Sequence, residues 1–456
     1  MIHEEVGEDL LTLSLSIGGA GGSGAGGHHF EFTKKRRRSF DEEALLLQAR
    51  DRMIRAGSTR PGLQSDSGLQ LVRLLFITAT AVEQNSGGSA AACDSLRQLY
   101  RLVSLSGDPI QRVAAYFADA LATKLLLLSS PCFHSSIRAA PSPADEFAAF
   151  AALYCASPFF QFAHFTANQA IMEAFEEEES FNGGSLHVVD FDLTYGSQWP
   201  SLIQSLADKA TSNKPITLRI TGFGRSSGEL LETEKRLSSF AGGFGNLSFE
   251  FDGKIISENW AESIRIKKNS TLAVNLVFYL QTLNNYSAIR SNLMRIHSLN
   301  PTVVTLVEKE GNRGSRFLDS LHYFAAMFDS LDDCFPAQSK QRLMIEKNHL
   351  GWEIMNAVNG GDEGNKGLRY ESLETWKGAM EKNGFEGLRL SSRSVSQARL
   401  LLKIKSQHCS AMDERRSGLG FRVTERDEGK ALSLGWQQQH LITATAWRRR
   451  SWWMID

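Results

Sequence analysis

The sequence predicts an α/β fold, with a parallel sheet core, an α-helical cap before it and a disordered tail at the N-terminus. Three observations predict it. From Ser185 onward, apolar β-rich runs recur at 186–191, 216–221, 247–251, 271–280 and 303–307, and helix-compatible stretches such as 202–210 and 229–240 lie between the first four. Strands alternating with helices imply parallel βαβ units and a doubly wound sheet. Between about 66 and 180 the apolar spacing is helical instead. Before that, 18–27 is almost all glycine, serine and alanine, a composition with little to bury and much backbone entropy to lose. The expected organisation is a tail over 1–65 and one domain over 66–450, with its cap at 66–180 and its sheet at 181–450.

Bulk properties bound the function. The chain has 456 residues, 42% of them hydrophobic, enough for one large or two ordinary domains. Fifty Lys and Arg balance 51 Asp and Glu, so no whole-molecule field draws it to nucleic acid, and any such contact is local. The cysteines (Cys93, Cys132, Cys155, Cys334, Cys409) are odd in number, far apart and without a C-x-x-C pair, which points to reduced thiols and away from zinc. Apolar stretches such as 120–128 meet a charge before reaching the roughly 18–20 residues of a membrane span, and the acidic N-terminus does not read as a secretory signal. A soluble intracellular protein with no membrane partner is expected.

Within the tail, Lys34, Lys35, Arg36, Arg37 and Arg38 form a compact basic run that reads either as a solvated charge cluster or, on an accessible flank, as a nuclear-import signal. Leu11, Leu13 and Leu15 alternate after an acidic stretch, so an extended strand would carry all three on one face and could add to a partner's sheet edge. A locally collapsed segment explains the same pattern.

The cap begins with Leu71, Leu74, Leu75 and Val82 at helical spacing, then Leu96, Leu99 and Val103 after a Gly87-Gly88 break. Such leucine seams form core or dimer interfaces, and Leu71, Leu74, Leu75, Leu96 and Leu99 are the interface candidates. A third helix opens at Asp108-Pro109-Ile110-Gln111, with Asp108 as N-cap, Pro109 in the first turn and Gln111 completing a capping box. Two further helices are expected over 146–155 and 159–177, the second ending in the acidic run 176–179. His164, set among aromatics, is expected to be structural.

The most specific enzyme hypothesis is a Rossmann-like methyltransferase, whose first strand ends in an acid followed by D-x-G-x-G-x-G. Here the register reads Asp190, Phe191, Asp192, Leu193, Thr194, Tyr195, Gly196, so only the last glycine position is kept. Asp192 and Thr194 put side chains where backbone must approach the ligand. The second strand runs into Gly222 with no acid to hold ribose hydroxyls. A second enzyme reading, an NAD(P) site or small-molecule sensor, uses Gly222, Gly224, Gly228 and Asp252, but the spacing is G-x-G-x-x-x-G on the second strand, and a glycine turn explains it without a ligand. No H-E-x-x-H, G-x-x-x-x-G-K-[ST] or G-x-S-x-G elbow occurs after a strand. The expectation is therefore no cofactor, no metal and no catalysis.

The order "SGDPIQRVAAYFADAL", "SPFFQFAHFTANQAIMEAF", "LHVVDFDLTYGSQWPSL", "LRITGFG", "LHYFAAMFDSLDDCFP" and "LGWQQQHLITATAW" closely resembles the plant GRAS family of transcriptional regulators, from about residue 66 to Trp447. Leu186, His187, Val188, Val189 and Asp190 take the place of the family's V-H-I-I-D motif. Residues 69–128 resemble its first leucine-rich region and those from Leu202 its second, and Glu308 to Asn312 stand in the P-F-Y-R-E region. Leu434, Gly435 and Trp436 with Thr445, Ala446 and Trp447 stand for the closing L-x-W and S-A-W elements. The Asp-Phe-Asp form and the "HFTANQAI" helix look most like the scarecrow-like and nodulation-signalling branch, and no D-E-L-L-A stretch occurs. The resemblance implies a nuclear regulator without catalysis that pairs with other GRAS proteins as homo- or heterodimer and with DNA-binding transcription factors, contacting promoter DNA directly or indirectly. It also likens Leu11 to Leu15 to the L-x-L-x-L motif that recruits corepressors. Val188 and Val189 are then core, while His187 and Asp190 hydrogen-bond neighbouring loops.

Overall fold

The computed structural model describes residues 65–84, 90–129, 140–257, 259–283, 285–311, 316–336, 338–360, 370–409 and 420–450. Leu11 to Leu15 and Lys34 to Arg38 lie outside them.

The chain begins with helices. On α1 (Ser65–Gln84), Leu71, Leu75 and Val82 meet Leu96 and Leu99 of α2 (Ala90–Leu102) and Val113, Phe117 and Leu121 of α3 (Pro109–Ser129) in one core. The cap of α3 is the expected box: Gln111 N–H donates to Asp108 Oδ1 at 2.8 Å, and Asp108 N–H donates to Gln111 Oε1 at 3.3 Å. α4 (Pro143–Ala156) starts where Ser142 Oγ accepts from Asp145 N–H at 3.1 Å, and a turn at Ser157-Pro158 leads into α5 (Phe159–Glu177).

The core sheet follows. Strands β1 (Ser185–Asp190), β2 (Ile216–Gly224), β3 (Leu247–Ile255), β4 (Thr271–Val277) and β5 (Val303–Lys309) run parallel in the order β3-β2-β1-β4-β5. Side-chain alternation sorts the two faces. Leu186 and Val188 pack with α5, α6 (Trp199–Lys209) and α7 (Ser227–Ala241), whereas Val189 packs with Trp260 of the short α8 (Trp260–Ser263) and with α9 (Tyr286–Ser298). This Rossmann-like sheet, covered on both faces and joined to a helical cap, is the architecture the sequence predicts.

Two features go beyond the prediction. The segment α10 (Arg316–Cys334), α11 (Lys340–Ile345), a π turn over Glu346–Leu350 and α12 (Gly351–Asn359) returns to the first helices, placing Phe324, Phe328 and Ile354 in the core of Phe117. Arg112 of α3 ties the halves together: it is buried and donates to Glu346 at 3.0 Å, Asp332 at 2.7 Å and the Gly107 carbonyl at 2.8 Å. After α13 (Leu373–Lys382), β6 (Phe385–Leu388) and α14 (Ser392–Cys409), the strands β7 (Phe421–Arg426), β8 (Ala431–Trp436) and β9 (Gln439–Arg449) extend the sheet antiparallel, β9 pairing with β5 on one side and with β8 and β6 on the other. Among the described residues, no helix is long and apolar enough to cross a membrane.

Candidate functional site

Strand order reverses between β1 and β4, the switch point where open α/β sheets form their ligand crevice. Asp190 ends β1 there. It is buried and accepts hydrogen bonds from Trp199 Nε1 and Asn275 Nδ2, each at 3.0 Å. Burial pushes its carboxyl up to about 7, against the pull of these donors and with a further push from the neighbouring Asp192 charge. Asn275 on β4 also accepts from Gln198 at 3.1 Å and Thr305 at 2.9 Å, and Gln198 donates to Asn168 of α5 at 2.9 Å. The polar crevice is thus cross-linked by the protein's own amides.

The loop after Asp190 is closed in a second way. Thr194, Tyr195 and Gly196 all have positive φ, at 31°, 59° and 65°. Only the last is a glycine, and it needs to be: a Cβ there would lie 2.6 Å from Thr233 Cγ2. Tyr195, between the replaced glycine position at Thr194 and the kept one at Gly196, inserts its ring against Phe147 and Phe150 of α4 at centroid distances of 4.9 and 5.3 Å. Arg225 lies 5.5 Å over the same ring, donates to its hydroxyl and pairs with Glu146 at 2.7 Å, while Arg236 donates to the Tyr195 carbonyl at 2.6 Å. Such left-handed backbone costs of order 1–3 kcal/mol per residue and persists where surrounding contacts hold it. Here α4 and α7 hold it. Thr194 Oγ1 donates to Asp192 at 2.7 Å, and burial raises the Asp192 carboxyl.

On the other side of the crevice an aromatic cluster occupies the strand ends. Phe191 packs on Phe223, Trp260 and Tyr279 at 5.2, 4.6 and 5.0 Å. Glu308, at the end of β5, is buried, accepts from Leu280 N–H at 2.7 Å, and is pushed well above its ordinary range by burial. Its second oxygen has no hydrogen-bond partner among the described residues. Glu308 opens the segment that stands in the P-F-Y-R-E region, whereas Asn275 and Gln198, the two sides of the amide bridge, belong to no sequence motif that assigns them this role.

The glycine series resolves differently from a phosphate loop. Gly222 and Gly224 lie inside β2, where a Cβ would meet Leu193 at 2.9 Å and Leu230 at 2.7 Å, and Gly228 is in the first turn of α7. Gly222 and Gly224 are close-packing glycines at the end of a strand, whereas a Cβ on Gly228 would meet nothing within 4 Å. Asp252 lies inside β3 and is engaged by Arg219 at 3.3 Å and Lys254 at 3.1 Å.

Other predicted residues fall as follows. Leu186, Val188 and Val189 are core. His187 and Asp190 bond neighbouring loops and regular elements alike: His187 Nδ1 accepts from Lys267 N–H at 3.4 Å in the loop before β4 while its Nε2 lies 2.9 Å from Thr221 Oγ1 on β2, Asp190 accepts from Asp192 N–H at 3.4 Å besides Trp199 and Asn275, and burial, with the Arg219 charge adding, lowers the His187 imidazole to about 4. His164 is buried beside Tyr154 and lowered to about 3 by burial, a structural histidine. Leu71, Leu75, Leu96 and Leu99 are spent on this chain's own core, with Leu74 half-buried against it, so they offer little surface to a second molecule. The physical reason is that α2 and α3 already cover that face of α1. Leu434, Ala446 and Trp447 are buried strand residues, and a Cβ on Gly435 would meet the Gln439 carbonyl at 2.8 Å beside a bulge. Trp436 Nε1 donates to Asp329 at 2.6 Å, Trp447 Nε1 to Thr445 Oγ1 at 2.8 Å, and Thr445 Oγ1 to the Leu306 carbonyl at 3.1 Å. In the acidic run 176–179, Glu176 pairs with Lys209 and Arg393 at 2.6 and 3.0 Å, while Glu177 and Glu179 are exposed.

Outside the crevice, α5 forms the floor of an apolar groove of about 280 Å³ walled by α6 and α14, with Phe165, Met172, Ser205, Leu400 and Ile404 among its lining. Leu400 and Ile404 are 55% and 48% exposed.

With this geometry in hand, the profile of the GRAS domain family matches residues 71–448. The chain belongs to the GRAS domain family. Protein SCARECROW of Ipomoea nil is 34% identical over 393 residues, covering 84% of this chain and 47% of that protein. Protein SCARECROW of Arabidopsis thaliana is 33% identical over 402 residues, 85% of this chain and 57% of that protein. DELLA protein GAIP of Cucurbita maxima is 34% identical over 414 residues, 86% of this chain and 65% of that protein. The chain therefore spans about half to two thirds of the length of these relatives. The crystal structure of SCL7 in Oryza sativa superposes with a TM-score of 0.66 at 31% identity, covering 83% of this GRAS chain and 99% of that one.

Proposed function

We propose that this GRAS protein is a nuclear transcriptional regulator that works without catalysis, as a platform for other proteins. The observation that carries the reading is Tyr195: its ring joins α4 to the loop in which a methyltransferase would keep glycines for its cofactor. With Asp190 bonded to Trp199 and Asn275, the switch-point crevice serves packing. The groove of α5, α6 and α14 is the corresponding outward feature, an apolar strip with Leu400 and Ile404 exposed, the kind of surface on which the apolar face of an amphipathic helix packs.

In this reading the groove receives a DNA-binding transcription factor or another GRAS protein, and promoter DNA is reached through that partner or by local contact. Lys34 to Arg38 carry import, and Leu11 to Leu15 recruit a corepressor. Membership of the GRAS family and the filled crevice support the first part, and the sequence pattern supports the second.

Recovery of bound proteins from nuclei with the parent chain and with Leu400→Glu/Ile404→Glu tests the platform. Transcription factors or GRAS proteins captured by the parent and lost in the variant are the expected result, and an identical set in both removes the groove from the account. A fluorescent fusion with Lys34 to Arg38 neutralised should stay outside the nucleus; normal accumulation there rejects the import assignment.

A further inference from the structure

Strand β3 is the end of the sheet. Among the described residues it pairs with β2 alone, in unbroken register from Leu247 opposite Ile216 to Ile255 opposite Gly224. Ile216 N–H donates to the Asn246 carbonyl at 3.1 Å. Backbone groups alternate along a parallel strand, so Ser248, Glu250, Asp252 and Lys254 turn theirs to β2, while Phe249, Phe251, Gly253 and Ile255 turn theirs out of the sheet. An edge of nine residues without proline or bulge is a template for another strand. The charges that commonly blunt such an edge are matched within the chain: Lys267 holds Glu250 at 2.9 Å, and Arg219 and Lys254 hold Asp252 at 3.3 and 3.1 Å. Ile255 and Ile256 follow them, 49% and 41% exposed.

We propose that a second copy of this chain pairs antiparallel along β3, about a two-fold axis at Gly253. The strand's own sequence selects both occupant and register. With the axis at Gly253, Asp252 stands opposite Lys254 of the partner subunit and Phe251 opposite Ile255 of the partner subunit, and the symmetry makes each pair twice. Opposite charges, and an aromatic with a β-branched residue, are favourable cross-strand pairs. An axis at Phe251 instead sets Glu250 against Asp252, and an axis at Glu250, Asp252 or Lys254 sets a charge against itself. Among the two-fold registers centred on the strand, the one about Gly253 alone joins opposite charges and opposes no like ones.

The backbone agrees with that choice. Phe251, Gly253 and Ile255, whose groups point outward, form the hydrogen-bonded pairs, and Asp252 and Lys254 fall at the sites between, where facing side chains come closest. Gly253 is exposed, and a Cβ there would lie 3.0 Å from Phe251 Cε1, so each Phe251 ring covers the bare axis. The two sheets join into one. This seam shares no residue with the groove of α5, α6 and α14.

Sedimentation equilibrium and residue-resolved hydrogen exchange on the full-length chain test the proposal. The parent should dimerise on concentration, and the amides of Phe251, Gly253 and Ile255 should then exchange more than about tenfold slower than in the dilute chain, while those of Asp252 and Lys254 change little. Asp252→Lys and Lys254→Asp should each weaken the dimer more than about tenfold, and the two together should restore it. Ile255→Pro removes an outward amide and leaves the pairing with β2, so it should abolish the dimer and remains informative if the charge variants disturb the strand. A parent that stays monomeric overturns the proposal. So does a dimer that Ile255→Pro and both single variants keep at full strength, one that the double variant fails to restore, or one whose outward amides stay unprotected. Leu400→Glu/Ile404→Glu should keep the dimer; its loss there overturns the seam and gives the association to the groove.

Discussion

Asn168 on α5 and Ser201 on α6 stand between two surfaces of one helix pair. Inward, Asn168 joins Gln198, Asn275 and Asp190 in a chain of hydrogen bonds that reaches β1. Outward, both residues line the groove against Leu400, Leu401 and Ile404 of α14. The inner surface invests its polar groups in one another, while the outer one leaves apolar side chains facing solvent. Burying unpaired polar groups costs more than exposing a few leucines, so the two surfaces answer differently to mutation.

The largest separation is expected from Asp190→Ala. It removes the acceptor of Trp199 Nε1 and Asn275 Nδ2 inside the protein and should cost about 2–4 kcal/mol, read as a lower urea midpoint. A loss below about 1 kcal/mol would mean that water reaches the site. Next is Gly196→Ala, at φ 65° with Thr233 only 2.6 Å from the new Cβ, which should cost about 1–3 kcal/mol in the same assay. Wild-type stability in that variant would show that the loop can give way.

A pH series sharpens the contrast further. Because burial raises the Asp190 carboxyl from its ordinary value of 3.8 to about 7, its contribution is fully present below about pH 4 and is lost as pH rises through about 7. In that window the group lowers stability with rising pH by at most about 1.4 kcal/mol per unit. Asp190→Asn should flatten this component, and identical pH profiles for parent and variant would count against a protonated Asp190. The smallest effect on stability belongs to the groove: Leu400→Glu and Ile404→Glu should each stay within about 0.5 kcal/mol while partner capture falls. A cooperative loss of stability would instead make those side chains part of the core.

The parallel half of the sheet was legible because each strand is an apolar run followed by a helical stretch. Glycine loss at Asp192 and Thr194 was equally visible, and it pointed to closure. What fills the space was not, because Tyr195 meets Phe147 and Phe150 across more than 40 residues and no local period encodes that contact. The hairpin of β8 and β9 escaped notice because its turn is Gln437-Gln438, with Gln437 at φ 51°, in place of the Asn-Gly type that marks such turns. For the leucines of α1 and α2, spacing identified an apolar face correctly but could not say whether the fold or a partner covers it; Leu71 and Leu75 proved internal, and Phe76 and Ile77 external.

Titration calorimetry of the full-length chain with S-adenosylmethionine, and separately with NAD(P), tests the closed crevice most directly. The account predicts no saturable heat at ligand concentrations up to about a millimolar, the weak end of ordinary affinities. Saturable binding at micromolar strength, with hydrogen-exchange protection appearing over Asp190 to Gly196, would contradict it and return the chain to the cofactor-binding class.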